Sequence, residues 1–431
     1  MYRRALAVAC LLLSGCEGAT APEADTAADA ADAGDTTDAE GSGDTPGPAA
    51  LCDALPAACA VAQGERPTVG PRVDVIPGAS LPAAIDLQTA NNNLDVIWHD
   101  GRLFLAWRTA PFHYASADTV LYVASTADLT SWRYEGSFWL DTDLREPQLV
   151  SFGGTLSLYF AVLGDNPIAF EPQGSRRAVY RGPDDWTEPE PVFEGDFIPW
   201  RIRAVGERME VLGYYGGGGI YDVDTAPLEV VWLASTDGVT WESAVPGGPV
   251  VLVGGASETD AGWLDDGRLV AISRNEAGDE TGFGSRICRA SAEAPADWTC
   301  AADPRKFDSP RVITRGDDAW LIARRNVTET GAYDLGRDDL PFEERYLAYQ
   351  LDYWANPKRC ALWSIDSDAL TVTHVLDLPS RGDTCFPEAL DLGGGRFLVF
   401  DYSSPLEGED LGWQQAQVGP TRIYRTLLAL P

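Results

Sequence analysis

LDVIWHDGRLFLAWRT, residues 94–109, contains two short apolar runs separated by Asp100-Gly101. The first run alternates apolar and polar residues, the second is almost wholly apolar, and an Asp-Gly pair is the turn that joins antiparallel strands. The unit recurs five more times. The copies are REPQLVSFGGTLSLYFAVLG (145–164), IPWRIRAVGERMEVLGYYGG (198–217), ETDAGWLDDGRLVAISRNE (258–276), SPRVITRGDDAWLIARRN (309–326) and FPEALDLGGGRFLVFDYSS (386–404). Their turn glycines, Gly101, Gly153, Gly206, Gly267, Gly316 and Gly394, are 52, 53, 61, 49 and 78 residues apart. The longest interval carries an insertion over 327–356.

In several copies a third strand follows: TVLYVASTADLTSW, LEVVWLASTDGVTW, GSRICRASAEAPADWTC and RCALWSIDSDALTV. An outer strand then closes the unit. No long helical period is visible after residue 90. Four strands per unit, repeated six times, predict an all-β, six-bladed β-propeller over residues 51–431. The final TRIYRTLLAL (421–430) reads as a third strand. An N-terminal strand near 70–88 is expected to complete the last blade and close the ring.

The chain has 431 residues and a formal net charge of −34. That charge excludes nonspecific binding to nucleic acid or to an anionic membrane surface. The basic residues are 30 arginines and only two lysines, Lys306 and Lys358. The three histidines, His99, His113 and His374, argue against a multi-histidine metal centre.

Residues 1–16, MYRRALAVACLLLSGC, have a basic start and an apolar stretch too short to span a bilayer. Leu13-Ser14-Gly15-Cys16 resembles the bacterial lipobox, so Cys16 is expected to carry lipid. In a Gram-negative cell Glu17 fits sorting to the outer membrane. Residues 17–50 hold nine acids, no basic residue and no aromatic, which predicts a disordered, self-repelling tether. The expected location is therefore the bacterial cell envelope, with the membrane touched only through the N-terminal lipid and a monomeric domain held off it. Signal and tether removed, residues 51–431 still carry −27. Six cysteines remain there. Export to an oxidising compartment and the spacing favour local disulfides: Cys52 with Cys59, Cys288 with Cys300 as a tie within blade 4, and Cys360 with Cys385 as a staple from blade 5 to blade 6. No CxxC suggests zinc.

Antiparallel geometry places the start of each first strand and the end of each second strand on one rim. The first strand is innermost in a propeller, so these positions converge on one mouth of the axial channel. They are Asp95 and Arg108; Arg145 and Glu146; Trp200, Arg201, Arg203 and Tyr214; Glu258, Asp260, Arg274 and Glu276; Asp308, Arg324 and Arg325; Glu388, Asp401 and Tyr402. Arginine forks recognise carboxylates, which points to an anionic group in the mouth. Closely placed carboxylates raise one another's pKa and keep one protonated as a general acid.

Ser235-Thr236-Asp237-Gly238-Val239-Thr240-Trp241 resembles a shortened Asp-box, and Ser125–Trp132 is a looser form. The resemblance, over residues 90–431, is to six-bladed sialidase-like propellers. In that family the Asp-box is a structural turn away from the substrate. Arg145-Glu146-Pro147 is similar to the Arg-Asp-Pro of related five-bladed glycosidases, and Asp95 sits where their first-blade aspartate does. Phe-Arg-Ile-Pro, which carries a sialidase's first arginine, is absent; Ile198-Pro199-Trp200-Arg201 echoes it.

The resemblance implies an exo-glycosidase acting on a glycan with an anionic sugar. Asp95 is the first choice for acid/base, with Glu146, Glu258 and Asp260 as competitors. Tyr402 with Glu388 is the candidate nucleophile pair, since sialidases use a tyrosine. Arg108, Arg145, Trp200, Arg201, Arg203, Glu258, Arg274, Glu276, Asp308 and Arg324 are the candidate substrate contacts. The alternative is a non-catalytic propeller that binds a glycan or a protein with the same mouth. No cofactor is expected. The acidic runs at Asp279-Glu280 and Asp338-Asp339 are weak Ca²⁺ candidates. No GxSxG, P-loop or HExxH occurs.

Overall fold

The computed structural model describes residues 47–49, 51, 60–167, 169–193, 195–219 and 227–431. Cys16 with the signal segment, and residues 17–46 and 50 of the tether, lie outside the described residues.

Six antiparallel sheets follow one another along the chain. Their inner strands are Ala90–His99, Leu144–Phe152, Ile198–Val205, Ala256–Trp263, Arg311–Arg315 and Glu388–Asp391, which define blades 1 to 6. Each pairs with the next strand of its own hairpin, as in Ala90↔Ala110 and His99↔Arg102 of blade 1. At the tip of that hairpin Asp100 and Gly101 have φ of 45° and 72°. Two successive left-handed residues make the turn whose twist suits a hairpin, and Asp and Gly tolerate it.

The ring closes through its termini. Arg422–Ala429 is the third strand of blade 6, and Thr68–Val69 and Val73–Ile76 add to its outer edge. The pairing Val73↔Arg425 spans nearly the whole domain, so the last blade cannot form before the first segment returns to it. Apolar cores fill the gaps between neighbouring blades, one of them shared by Phe104 and Leu121 of blade 1 with Leu149 and Leu158 of blade 2.

Two of the three expected disulfides are present. Cys288 and Cys300 pair across adjacent strands of blade 4. Cys360, on the third strand of blade 5, is bonded to Cys385 at the entry to blade 6. The third expected bond, between Cys52 and Cys59, is not among the disulfides of the described residues, because Cys52 and Cys59 both lie outside them.

The Asp-box-like segment is a turn on the rim opposite the mouth. Asp237 accepts from the amides of Val239 (2.8 Å) and Thr240 (2.7 Å), and these hydrogen bonds hold its carboxyl well below the usual range. Asp128 does the same with Thr130 and Ser131. Gly238 has φ of 75°, and a Cβ there would collide with the Tyr159 hydroxyl. Of the weak Ca²⁺ candidates, Asp279 accepts from Thr281 and Arg286, while Asp338 and Asp339 pair with Arg345 and Arg337.

The insertion in blade 5 folds into helix α1, Phe342–Ala355. Glu343 and Glu344 occupy its first turn, where the helix dipole favours acids. Its Tyr346, Tyr349 and Tyr353 pack with Phe283 and Tyr333, fastening the insertion over the mouth side of blades 4 and 5.

Replacing Cys360 and Cys385 together by alanine is expected to lower stability by about 3 kcal/mol, from the released loop of 25 residues. Urea denaturation checks it; an unchanged midpoint would show that the staple constrains nothing.

Candidate functional site

The converging residues divide into two layers. The lower one plugs the channel. In register down the inner strands, one residue per blade, stand Asp95, Gln148, Arg201, Asp260, Arg311 and Glu388. Three of them reach to the backbone of the next blade. Leu149 N–H donates to Asp95 Oδ2 (2.5 Å), Ile202 N–H to Gln148 Oε1 (3.2 Å) and Val312 N–H to Asp260 Oδ2 (2.7 Å). The other three are charged across the channel: Arg201, on blade 3, pairs with Glu388 on blade 6, and Arg311 lies 3.2 Å from Glu388 and 3.5 Å from Asp260. Arg203 also pairs with Asp260. Burial pushes the Asp95 carboxyl up to about 6 against these hydrogen bonds and arginines. Burial pushes Asp260 the same way, but Arg203, Arg311 and Arg201 outweigh it and hold its carboxyl low.

Asp95, Asp260 and Glu388 are therefore blade-to-blade ties, which corrects their assignment to the mouth. Both oxygens of Asp95 and Asp260 already accept hydrogen bonds, so neither is placed to shuttle a proton to a sugar. The expected Tyr402–Glu388 pair does not form. Tyr402 is buried and donates to Asp383 Oδ1 (3.1 Å), whose other oxygen lies 2.7 Å from His113 Nδ1. Burial first, then Asp383, raises the Tyr402 phenol well above its ordinary value, the opposite of an activated nucleophile.

The upper layer is the mouth. Here the inner strands bulge. Register shifts fall between Asn92 and Leu94, Arg145 and Gln148, Pro199 and Arg201, and Ala256 and Thr259. A bulge inserts an extra residue and re-aims its side chain. Asn93 and Glu146 sit on such bulges with φ of 40° and 50°, a conformation that non-glycine residues rarely adopt. Glu146 is half-buried and accepts from Asn93 Nδ2 at 3.0 Å. Burial, and after it the neighbouring Glu258, push its carboxyl up to about 7. Glu258 is differently placed. Arg274 approaches its Oε1 to 2.7 Å and Ser309 N–H donates to its Oε2 at 2.7 Å. Burial raises this carboxyl as well; Arg274 opposes the rise, Asp308 adds to it, and the amide of Ser309 does not cancel it, so the net shift is upward.

Around this pair lies a closed charge network. Arg274 also approaches Glu276 (3.2 Å) and Asp308 (3.4 Å). Lys306 meets Glu276 at 2.7 Å, and Arg324 meets Asp308 at 3.2 Å. Arg324 donates as well to the carbonyls of Thr384 and Cys385. The insertion contributes Gln350, which donates to Glu276 (2.8 Å), and the Tyr353 hydroxyl, which donates to Asp308. Arg145 and the fully buried Arg108 both bind Asp143. The expected arginine cluster is present, but carboxylates and carbonyls of the protein occupy its forks. Trp200 is buried against Phe386, with ring centroids 5.3 Å apart, so it packs the channel wall. Asp401 is buried behind blade 6, accepting from Phe386 N–H and the Tyr424 hydroxyl, and Arg325 faces Asp377 at the outer edge.

Asp143, Asp383, Gln148, Arg311, Gln350 and Tyr353 were not singled out from the sequence. Asp143 had a signal, standing two residues before Arg145-Glu146-Pro147. The two lysines had another: Lys306 and Lys358, rare in an arginine-rich chain, each lie 3.9 Å from the centre of the Tyr353 ring.

No family model matches the chain, and no curated protein matches it. Among solved structures it is similar to a protein of unknown function from Dyadobacter fermentans, at 15% identity over 79% of this chain and 95% of that one, with a TM-score of 0.55. It is also similar to Trypanosoma rangeli sialidase in complex with 2,3-difluorosialic acid, at 11% identity over 79% of this chain and 54% of that one, TM-score 0.49. A third is an alpha-L-arabinofuranosidase from Fusarium graminearum, at 14% identity over 54% and 71%, TM-score 0.38. The chain thus spans about half the length of the sialidase. The first of these likenesses supports the propeller fold and nothing finer.

The two-layer arrangement predicts that Asp260→Ala destabilises the fold by about 3–5 kcal/mol, because Arg203, Arg311 and the Val312 amide lose their shared acceptor. Asp260→Asn keeps an acceptor for the amide and is expected to lose less. Chemical denaturation at neutral pH checks both; a near-neutral Asp260→Ala would contradict the plug.

Proposed function

We propose that the mouth hydrolyses a glycosidic bond, with Glu146 as general acid and Glu258, held by Arg274, as the partner carboxylate. The observation that carries this reading is the contrast between the two glutamates. Glu146 has one amide donor, a nearby carboxylate and contact with solvent. Glu258 has an arginine and a backbone amide. Burial raises both carboxyls, but only Glu258 carries an arginine, and paired carboxylates in unequal surroundings take the acid role and the base or nucleophile role respectively. A protonated Glu146 can give its proton to the leaving-group oxygen. Glu258 then supports the oxocarbenium-like transition state, either directly or through a water.

The plug beneath the mouth favours exo action, since a floored pocket takes a chain end and lets no chain thread through. The substrate at the cleavage point is proposed to be an uncharged sugar. Glu258, Glu276 and Asp308 are balanced by Arg274, Lys306 and Arg324, so the network offers no uncompensated cation to a sugar carboxylate. The anionic sugar expected from the arginine count loses its support here. A tyrosine nucleophile does too, given the burial and raised pKa of Tyr402. Work at the cell envelope, through lipid on Cys16, fits the two disulfides among the described residues.

The test is a panel of neutral and acidic aryl glycosides offered to the protein. On the glycoside that is cleaved, Glu146→Gln is expected to lower kcat by about 10²–10⁴. Wild-type kcat/KM should fall about tenfold per pH unit above about 7, as Glu146 loses its proton. Tyr402→Phe should leave kcat unchanged and cost about 1 kcal/mol of stability through its lost bond to Asp383. Turnover that survives Glu146→Gln but vanishes in Tyr402→Phe would overturn the reading. Saturable glycan binding with no turnover anywhere in the panel would favour a binding propeller.

A further inference from the structure

Two bulges on neighbouring inner strands meet above the plug. In blade 1 the pairing runs from Asn92↔Arg108 straight to Leu94↔Trp107, so Asn93 is the inserted residue. In blade 2 it jumps from Arg145↔Ala161 to Gln148↔Tyr159, which sets Glu146 and Pro147 against the single Phe160. Both bulges are clamped. Asn91 N–H donates to Thr421 Oγ1 (2.7 Å), Arg108 donates to Asn92 Oδ1 (3.3 Å), and Leu94 is fully buried on the far side of Asn93. Arg145, beside Glu146, is tied to Asp143 and to the His113 carbonyl.

Asn93 is only 4% exposed. Among the described residues its amide makes one hydrogen bond, from Nδ2 to Glu146 Oε2 at 3.0 Å, and its Oδ1 is buried without a partner. For stability alone this is a poor residue. A φ of 40° suits glycine, and a buried acceptor left unpaired is a cost. What Asn93 supplies, and glycine cannot, is the N–H on Glu146. Among the described residues no donor reaches the other oxygen, Oε1.

We infer that Asn93 is the positioning residue of the general acid: by donating to Oε2 it confines the Glu146 proton to Oε1. The inference rests on the reading of Glu146 as that acid. In a carboxylic acid the carbonyl oxygen is the better acceptor, so the oxygen facing the amide stays bare and the hydrogen sits on the other. In the reaction the Oε1 proton passes to the glycosidic oxygen. The bond from that oxygen to the anomeric carbon breaks with its electron pair on the oxygen, and Glu146 is left a carboxylate still held by Asn93. Water adding to the anomeric carbon releases the proton that restores Oε1–H. The same N–H favours the carboxylate, so it holds back the rise caused by burial and by Glu258 on blade 4. Arg145 on the same strand and Arg201 on blade 3 also oppose that rise, and Arg108 of blade 1 faces Glu146 as well.

The test is Asn93→Gly, which takes the same backbone conformation without the donor. On a glycoside that the wild type cleaves, kcat is expected to fall about tenfold with KM within about twofold of wild type. The decline of kcat/KM above about pH 7 should move to higher pH. Carbon-13 NMR, which needs no turnover, should show the Glu146 carboxyl titrating at higher pH than in the wild type. Asn93→Asp has the same shape and no donor, and should move that titration further in the same direction. An unchanged kcat and titration, with Glu146→Gln inactive, would overturn the inference and leave the acid assignment standing. A titration moved to lower pH would overturn it too, since Asn93 would then be accepting from the acid. Turnover that survives Glu146→Gln would remove the acid assignment itself, and the inference with it.

Discussion

Six inner strands arranged in a ring leave a central channel that their own ladders cannot fill, and the rest of this molecule depends on how that channel is closed. Amides of Leu149, Ile202 and Val312 face across blade boundaries, and Asp95, Gln148 and Asp260 accept from them. Buried acceptors satisfy buried donors, but two of the three bring charge into the interior. Arg201, Arg203 and Arg311 answer that charge, and Glu388 answers the arginines in turn. The resulting layer links opposite blades, as main-chain pairing between neighbours cannot. It also closes the channel beneath the mouth.

Above the floor, bulges decide what the pocket presents. One extra residue in the inner strand of blade 2 turns Glu146 away from the position that Gln148 occupies in the plug. Glu146 and Glu258 then share a partly desolvated space with unequal support. Helix α1 covers the flank beside blades 4 and 5, where Tyr353 and Gln350 lock Asp308 and Glu276 in place. Those acids are thus committed to structure, and Glu146 is the mouth carboxyl with the weakest anchoring.

The propeller was legible because its signal repeats. Six in-phase hairpins with turn glycines and a terminal third strand specify blade number and closure with little tertiary information. The cysteine spacing likewise specified the bonds of Cys288 to Cys300 and of Cys360 to Cys385, while Cys52 and Cys59 stay outside the described residues. The site was only half legible. Strand alternation brings Asp95, Glu146, Arg201, Glu258, Asp260 and Glu388 to the channel, but it does not say which layer each occupies. A bulge of one residue separates Glu146 from the plug, and bulges leave little trace in apolar periodicity. Tyr402 and Glu388 share a hairpin, yet Asp383, from the loop before it, takes the tyrosine. Arginine count suggested an anion in the mouth; only packing reveals that Asp143, Asp260, Asp308 and Glu388 already occupy those forks.

Hydrolysis at the mouth requires a protonated Glu146. The direct measurement is a pH titration of the glutamate side-chain carboxyls by carbon-13 NMR, in the wild type, in Glu146→Gln to assign the resonance, and in Glu258→Gln. The account predicts a Glu146 carboxyl that titrates near pH 7 and moves to lower pH once the Glu258 charge is removed. A Glu146 that titrates in the ordinary range near 4.5, unmoved by Glu258→Gln, would contradict it.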